Sequence, residues 1–116
     1  MTAQRWYVAG PMSGLPDLNY PAFHAAAAQL RAAGHHVENP AENPPPDLGP
    51  DATPDQVYRE YLRMGIAQLV TCTHVLFLAG WQSSGGALKE RMVSIWLGLE
   101  MVEAGDVPEQ QLEMNL

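Results

Sequence analysis

HVLFLAGWQSSGGALKE, residues 74–90, passes from a continuous apolar run into a turn of small and polar residues and then into a helical pattern. An apolar run of this length, bounded by turn residues, predicts a strand buried on both faces, as in a parallel sheet covered on either side. The turn Gly80-Trp81-Gln82-Ser83-Ser84 delivers the chain to a helix start at Ser84-Gly85-Gly86. Unpaired backbone N–H groups and the positive end of the helix dipole there favour an anion. The spacing is not that of the phosphate loop GxxxxGK[ST], because Lys89 is out of place and there is no GK pair. Six residues after Ser84 comes Glu90, whose neighbours at helical spacing, Ala87, Val93, Leu97 and Met101, are apolar. A carboxylate on such a face loses hydration unless it is paired or lines a cavity. For an arbitrary acid an ion pair or a solvated helix rim is the plainer explanation. Beside a glycine-rich helix start at the end of a strand, the expectation is a catalytic carboxylate.

Upstream, Trp6 to Ala9 form a short apolar strand ended by Gly10-Pro11, and the loop PMSGLPDLN follows. Asn19-Tyr20-Pro21 opens a first helix that runs through the Ala-rich segment to Ala33 and stops at Gly34. His35 to Glu38 reads as a second strand, which makes a strand, helix, strand unit with a right-handed parallel crossover. Residues 40–54 hold six of the ten prolines and predict a long surface loop. Such loops are functional or disordered. Thr53-Pro54-Asp55 opens a second helix with a cap residue, a first-turn proline and an early acid. That helix is expected to send Val57, Tyr61, Met64 and Leu69 into the core and to end near Thr71. The order β-α-β-α-β-α predicts a small three-layer α/β/α fold with a mainly parallel sheet, over residues 1–104, followed by a weakly patterned acidic tail at 105–116. Ligands of such sheets bind at the carboxyl ends of the strands. Three segments converge there: GPMSG (Gly10, Ser13, Gly14), NPAENPPP (Asn39) and GWQSSGG (Trp81, Ser84, Gly85, Gly86).

Composition narrows the function. A chain of 116 residues, 47% hydrophobic, supports one domain with a core. Six basic against thirteen acidic residues, a net charge of −7, argue against binding a nucleic-acid polymer while leaving a single nucleotide open. Cys72 is the one cysteine and forms no internal disulfide, and neither a signal segment nor a membrane-length apolar run is visible. The expectation is a soluble, cytoplasmic protein without membrane partners.

YVAGPMSG, the helix leading to AAGHHVENPAE, and VLFLAGWQSSGGALKE followed by a helix together resemble the nucleoside 2-deoxyribosyltransferase superfamily, in particular its small phage and bacterial uncharacterised branch, related to 2′-deoxynucleoside 5′-monophosphate N-glycosidases. The resemblance spans roughly residues 5–104 and implies a reduced flavodoxin- or Rossmann-like fold. It implies that Glu90, in the pattern S-x-G-[TA]-x-x-E, attacks C1′ of a deoxyribosyl group, that Tyr7 belongs to the site, and that Ser84 contacts the phosphate of a 5′-monophosphate. It implies no metal and no cofactor. Three positions depart from the family pattern. Gly65 stands where an aspartate usually serves as acid or base for the leaving nucleobase, Thr73 replaces a second aspartate, and Ser13 stands in place of a phosphate-binding arginine. His74, Asp55 and Glu60 are possible substitute acids, although an ordinary structural role fits each better.

The other candidates are weaker. Adjacent His35-His36 read as a surface pair rather than metal ligands, and His24 as a helix-face residue. Trp81 is a pocket wall for a nucleobase or ordinary packing. Met92, Val93, Ile95, Trp96, Leu97, Leu99, Met101 and Val102 form a wide apolar arc beside a sheet of three expected strands, which predicts a homodimer or higher oligomer. Three functional readings follow: an N-glycosidase or deoxyribosyl transferase acting on nucleosides or nucleotides, a nucleotide-binding module without turnover, or a structural protein with a vestigial pocket.

Overall fold

The computed structural model describes residues 3–104, so the tail expected at 105–116 lies outside the described residues. The elements are β1 (Arg5–Ala9), α1 (Tyr20–Ala32), β2 (His36–Glu38), α2 (Pro54–Leu69), β3 (His74–Phe77), α3 (Gly85–Leu97) and β4 (Glu100–Glu103). Single 3₁₀ turns cover Pro16–Asn19, Pro40–Glu42 and Trp81–Ser83. All four strands are parallel, in the order β2-β1-β3-β4.

The pleat divides the core into two. Trp6, Val8, Leu76 and Leu78 point to one face, where Phe23, Ala26, Ala27 and Leu30 of α1 cover them. Tyr7, Ala9, Val75 and Phe77 point to the other and meet Leu69 of α2, with Val93 of α3 at the margin. Period-two alternation on buried strands thus produces the expected three layers. The chain leaves β1 toward β2 on one side and returns to β3 on the other. The strand order therefore reverses between β1 and β3, and a crevice opens at their carboxyl ends.

Two expectations are corrected. The third helix does not reach Met101. Gly98 adopts a left-handed conformation, φ +70°, at the helix end, with Leu99 N donating to Ser94 O at 2.9 Å. That stop allows a fourth strand to pair with β3 in the register Val75 to Met101. The apolar arc is consequently split: Leu88, Met92, Ile95 and Trp96 stay exposed on α3, whereas Val93 and Leu99 pack against the core. The neighbours that share burial with Glu90 are Ala87 and Ser94, not Leu97 or Met101. The Ser94 hydroxyl satisfies itself by donating to Glu90 O at 2.8 Å.

The second correction concerns α2. Its start is as expected: Gln56 N donates to the Thr53 hydroxyl at 3.1 Å and Thr53 N to the Gln56 side chain at 2.8 Å, a closed capping box. Of the four residues expected in the core, only Leu69 is buried, joined by Gly65. A crossover helix runs antiparallel to its strands, so the first turns of α2 stand beside the carboxyl ends of the sheet. Val57 and Tyr61 line a cavity there instead of filling a core. Among the described residues no helix is long and apolar enough to cross a membrane.

Candidate functional site

At the crevice between β1 and β3 lies a cavity of about 850 Å³. Its floor is Tyr7 and Glu90. Tyr7 projects from the middle of β1 toward α2 and α3, and Glu90 comes from the second turn of α3. The tyrosine hydroxyl donates to Glu90 Oε2. Tyr7 is 1% exposed and Glu90 8% exposed. Burial, opposed in part by the hydrogen bond from Tyr7, pushes the Glu90 carboxyl up to about 7. Burial, and then the neighbouring Glu90, push the Tyr7 phenol well above its ordinary value. Glu90 therefore exchanges its proton close to neutral pH, while Tyr7 stays a donor throughout.

Gly65 of α2 completes the floor. A methyl group placed on it would stand 2.7 Å from the Tyr7 hydroxyl oxygen and 2.8 Å from Glu90 Oε2. Carbon does not approach oxygen so closely without displacement, so a bare Cα at this position is what lets α2 close over the pair. Its backbone angles are ordinary for a helix. The glycine is explained by space, even though it costs a helix interior about 1 kcal/mol relative to alanine.

Glycine-rich backbone forms one wall. The Ser84 hydroxyl caps α3 by accepting from Ala87 N at 3.1 Å, and Gly85 and Gly86 border the cavity beside it. Lys89, exposed, donates to the Tyr58 hydroxyl at 3.1 Å, with its Nζ 3.8 Å from where a Cβ on Gly85 would be. The opposite rim is the turn after β1. Asp17, Leu18 and Asn19 are consecutively left-handed, with φ of 52°, 52° and 60°. Such residues cost about 1–2 kcal/mol each. The turn is secured by Asn19 Nδ2 donating to Pro11 O at 3.0 Å and Leu18 N to Leu15 O at 3.0 Å. Leu15 and Leu18 from this turn, and Tyr58 and Tyr61 from α2, are exposed apolar residues that all border the cavity. Glu90 is the one charged side chain among the described residues that line it.

Of the residues singled out in the sequence, Tyr7, Gly10, Ser13, Ser84, Gly85, Gly86 and Glu90 all line this cavity, whereas Gly14, Asn39 and Trp81 do not. Asn39 is buried beneath it and accepts from Ala41 N at 3.0 Å, with its Nδ2 3.2 Å from His24 Nδ1. Its role is to cap the turn that leaves β2. Trp81 donates to Glu103 Oε1 at 2.7 Å, lies 5.2 Å from the Phe77 ring and carries the Arg91 guanidinium over its face. It fastens β4 and α3 to the sheet. The substitute acids are occupied elsewhere: Asp55 pairs with Arg59, Glu60 with Arg63, and His74 stacks on Trp6. His35 and His36 take separate partners, Gln4 N and Glu38. Among the described residues no three His, Cys, Asp or Glu gather as metal ligands.

Tyr58, Leu15, Leu18 and Lys89 were not identified from the sequence. A tyrosine-rich stripe on α2, with hydroxyls where core positions would be aliphatic, was the available signal for the first.

A comparison with curated proteins gives no match. Residues 4–103 match the family model described as a domain of unknown function (DUF4406), which covers nearly all of the 116-residue chain, and the protein belongs to that family.

Proposed function

We propose that this chain breaks an N-glycosidic bond of a nucleoside or nucleotide, with Glu90 as nucleophile, by hydrolysis or by transfer of the sugar to a second base. The observation that carries the reading is the one buried carboxyl among the described residues, hydrogen-bonded by a buried tyrosine, on the floor of a cavity at the strand-order reversal. Glu90 in its ionised form attacks C1′, the base departs, and a glycosyl ester forms on the carboxyl. Tyr7 holds Oε2, which orients the other oxygen. The serine and glycines at the start of α3 support a polar or anionic 5′ end there, with Lys89 nearby on the hydroxyl of Tyr58, which borders the cavity. A 5′-monophosphate is the favoured substrate.

The test is release of free base from deoxyribonucleosides, ribonucleosides and their 5′-monophosphates, read by chromatography, with Glu90→Gln in parallel. Release abolished by the substitution is the expected result. A fully active Glu90→Gln overturns the reading. Gly65, standing where the resembled family carries an acid, favours a second reading: a nucleotide-binding module without turnover. Saturable binding of one nucleotide with no base release over hours would select it.

The same reading extends to assembly. Leu88, Met92, Ile95 and Trp96, the last 73% exposed, form an uncovered face on α3. A second copy of the chain is the proposed cover. Elution as a monomer at micromolar concentration would exclude it.

A further inference from the structure

We propose that Gly65 shuts a second acid out of the site, so that the substrates are N-glycosides whose base leaves without a proton from a protein carboxyl: those with a ring nitrogen already alkylated or protonated. The inference rests on the glycosidic reading above and specifies its substrate class.

The geometry is local and crowded. Gly65 faces both the Tyr7 hydroxyl and Glu90 Oε2, and even a methyl group would stand within 2.8 Å of them. The Tyr7 ring cannot move aside cheaply, because it is 1% exposed and embedded in the second core cluster. With Tyr7 held, any side chain at this position requires the free end of Glu90 to move from its present place, so in this packing α2 brings a bare Cα and no acid to the pair. Other described residues do not fill the gap. Asp55 and Glu60 are committed to Arg59 and Arg63 on the outside of α2. The remaining polar side chains that line the cavity are hydroxyls and the Asn43 amide, far weaker proton donors than a carboxyl. Glu90 cannot serve twice, since the form that attacks has already lost its proton.

The electron count then selects the leaving group. As the Glu90 oxygen bonds to C1′, the C1′–N bond breaks and its electron pair leaves with the base. From an ordinary nucleoside the product is a base anion, which must find a proton. From a base alkylated at a ring nitrogen, the departing species is neutral and needs none. Water then attacks C1′, the ester C–O bond breaks, Glu90 regains its carboxylate and the extra proton passes to solvent. Both steps balance without any further reactant.

The experiment offers the native protein two compounds that differ only in the leaving group, 2′-deoxyguanosine 5′-monophosphate and its 7-methyl derivative. Initial rates of base release are corrected for the spontaneous reaction. Because a positioned general acid contributes about a hundredfold or more, release of 7-methylguanine is expected to exceed that of guanine by about that factor. Gly65→Asp is expected not to speed guanine release. Similar rates from the two compounds, or a Gly65→Asp variant that releases guanine faster than the native protein, would overturn the inference while leaving the glycosidic reading intact. Release of an ordinary base from another member of the nucleoside and nucleotide panel, with none from these two, would overturn the inference alone; no release from any member would sink the glycosidic reading, and the substrate class with it.

Discussion

Two carboxylates on this chain, Glu90 under α2 and Glu42 after β2, are held in opposite ways. Glu42 receives both terminal nitrogens of Arg31, at 2.7 and 2.8 Å, at a surface where each side chain is more than two-fifths exposed. The Arg31 hydrogen bonds hold its carboxyl below the ordinary value. Among the described residues Glu90 has no cation on its carboxyl, only a neutral phenol, and burial drives it up. The lesson is that a full opposite charge in water stabilises the ionised form, whereas a neutral donor in a dry site only partly offsets lost hydration. One arrangement fastens an edge of the fold. The other keeps a carboxyl that exchanges its proton near neutral pH.

The contrast can be broken most severely at Glu90. On the proposed glycosidic reading, Glu90→Gln should lower base release by at least roughly a thousandfold, because the proposed nucleophile is gone; retained turnover in the same chromatographic assay would place the chemistry elsewhere. Next comes stability against pH. The folded-state value of Glu90 lies above its unfolded value of 4.5, so its favourable contribution is complete below that value and is lost as the pH rises through about 7. Relative to Glu90→Gln, the native protein should therefore lose roughly 3 kcal/mol between pH 4 and pH 8 in urea unfolding. A pH-independent difference would mean that Glu90 is better solvated than its burial indicates.

Tyr7→Phe removes the one interaction that favours the ionised carboxylate. A hydrogen bond to a charged group contributes about 1.5–3 kcal/mol, so activity should fall roughly ten- to a hundredfold at neutral pH. The rise of rate with pH should also move upward, since Glu90 ionises later. A profile unchanged in position would remove Tyr7 from the control of Glu90. The smallest effect belongs to the other carboxylate: Arg31→Ala should cost less than about 1 kcal/mol in thermal unfolding, because the pair it breaks is half in solvent. A larger loss would show that the edge formed by α1 and the Pro40–Glu42 turn contributes more to the fold than its exposure suggests.

Much of this architecture was legible in the linear pattern. The apolar run at 74–79, the Ala-rich helix stopped by Gly34 and the Thr53-Pro54 start each reflect a local rule, because backbone preference and period depend on residues a few positions apart. Glu90 and the Ser84 turn were also readable, since an acid on an apolar helical face is a local anomaly, whereas Tyr7 entered only through the family resemblance. What escaped were features set by distant contacts. Gly98 ends α3 and releases β4, but only the free edge of β3 makes a strand of residues 100–103. Tyr58 and Tyr61 carry the periodicity of a core stripe, and only the antiparallel run of α2 past the strand ends turns them into a cavity wall.

Gly65 marks the boundary between the two kinds of knowledge. In the sequence it is a glycine inside a helix, a mild destabilisation with no visible return, and only the family resemblance marks it as a missing acid. In the folded protein it is the contact that lets α2 close over Tyr7 and Glu90, 58 and 25 positions away along the chain. The sequence alone determined the first three strands, the three helices, the parallel crossover and an anomalous carboxylate, because those follow from short-range sterics and periodic burial. Which atoms crowd that carboxylate, how dry it is and what room is left beside it were decided by tertiary packing, because desolvation and close contact depend on everything that surrounds a group, not on its neighbours in the chain.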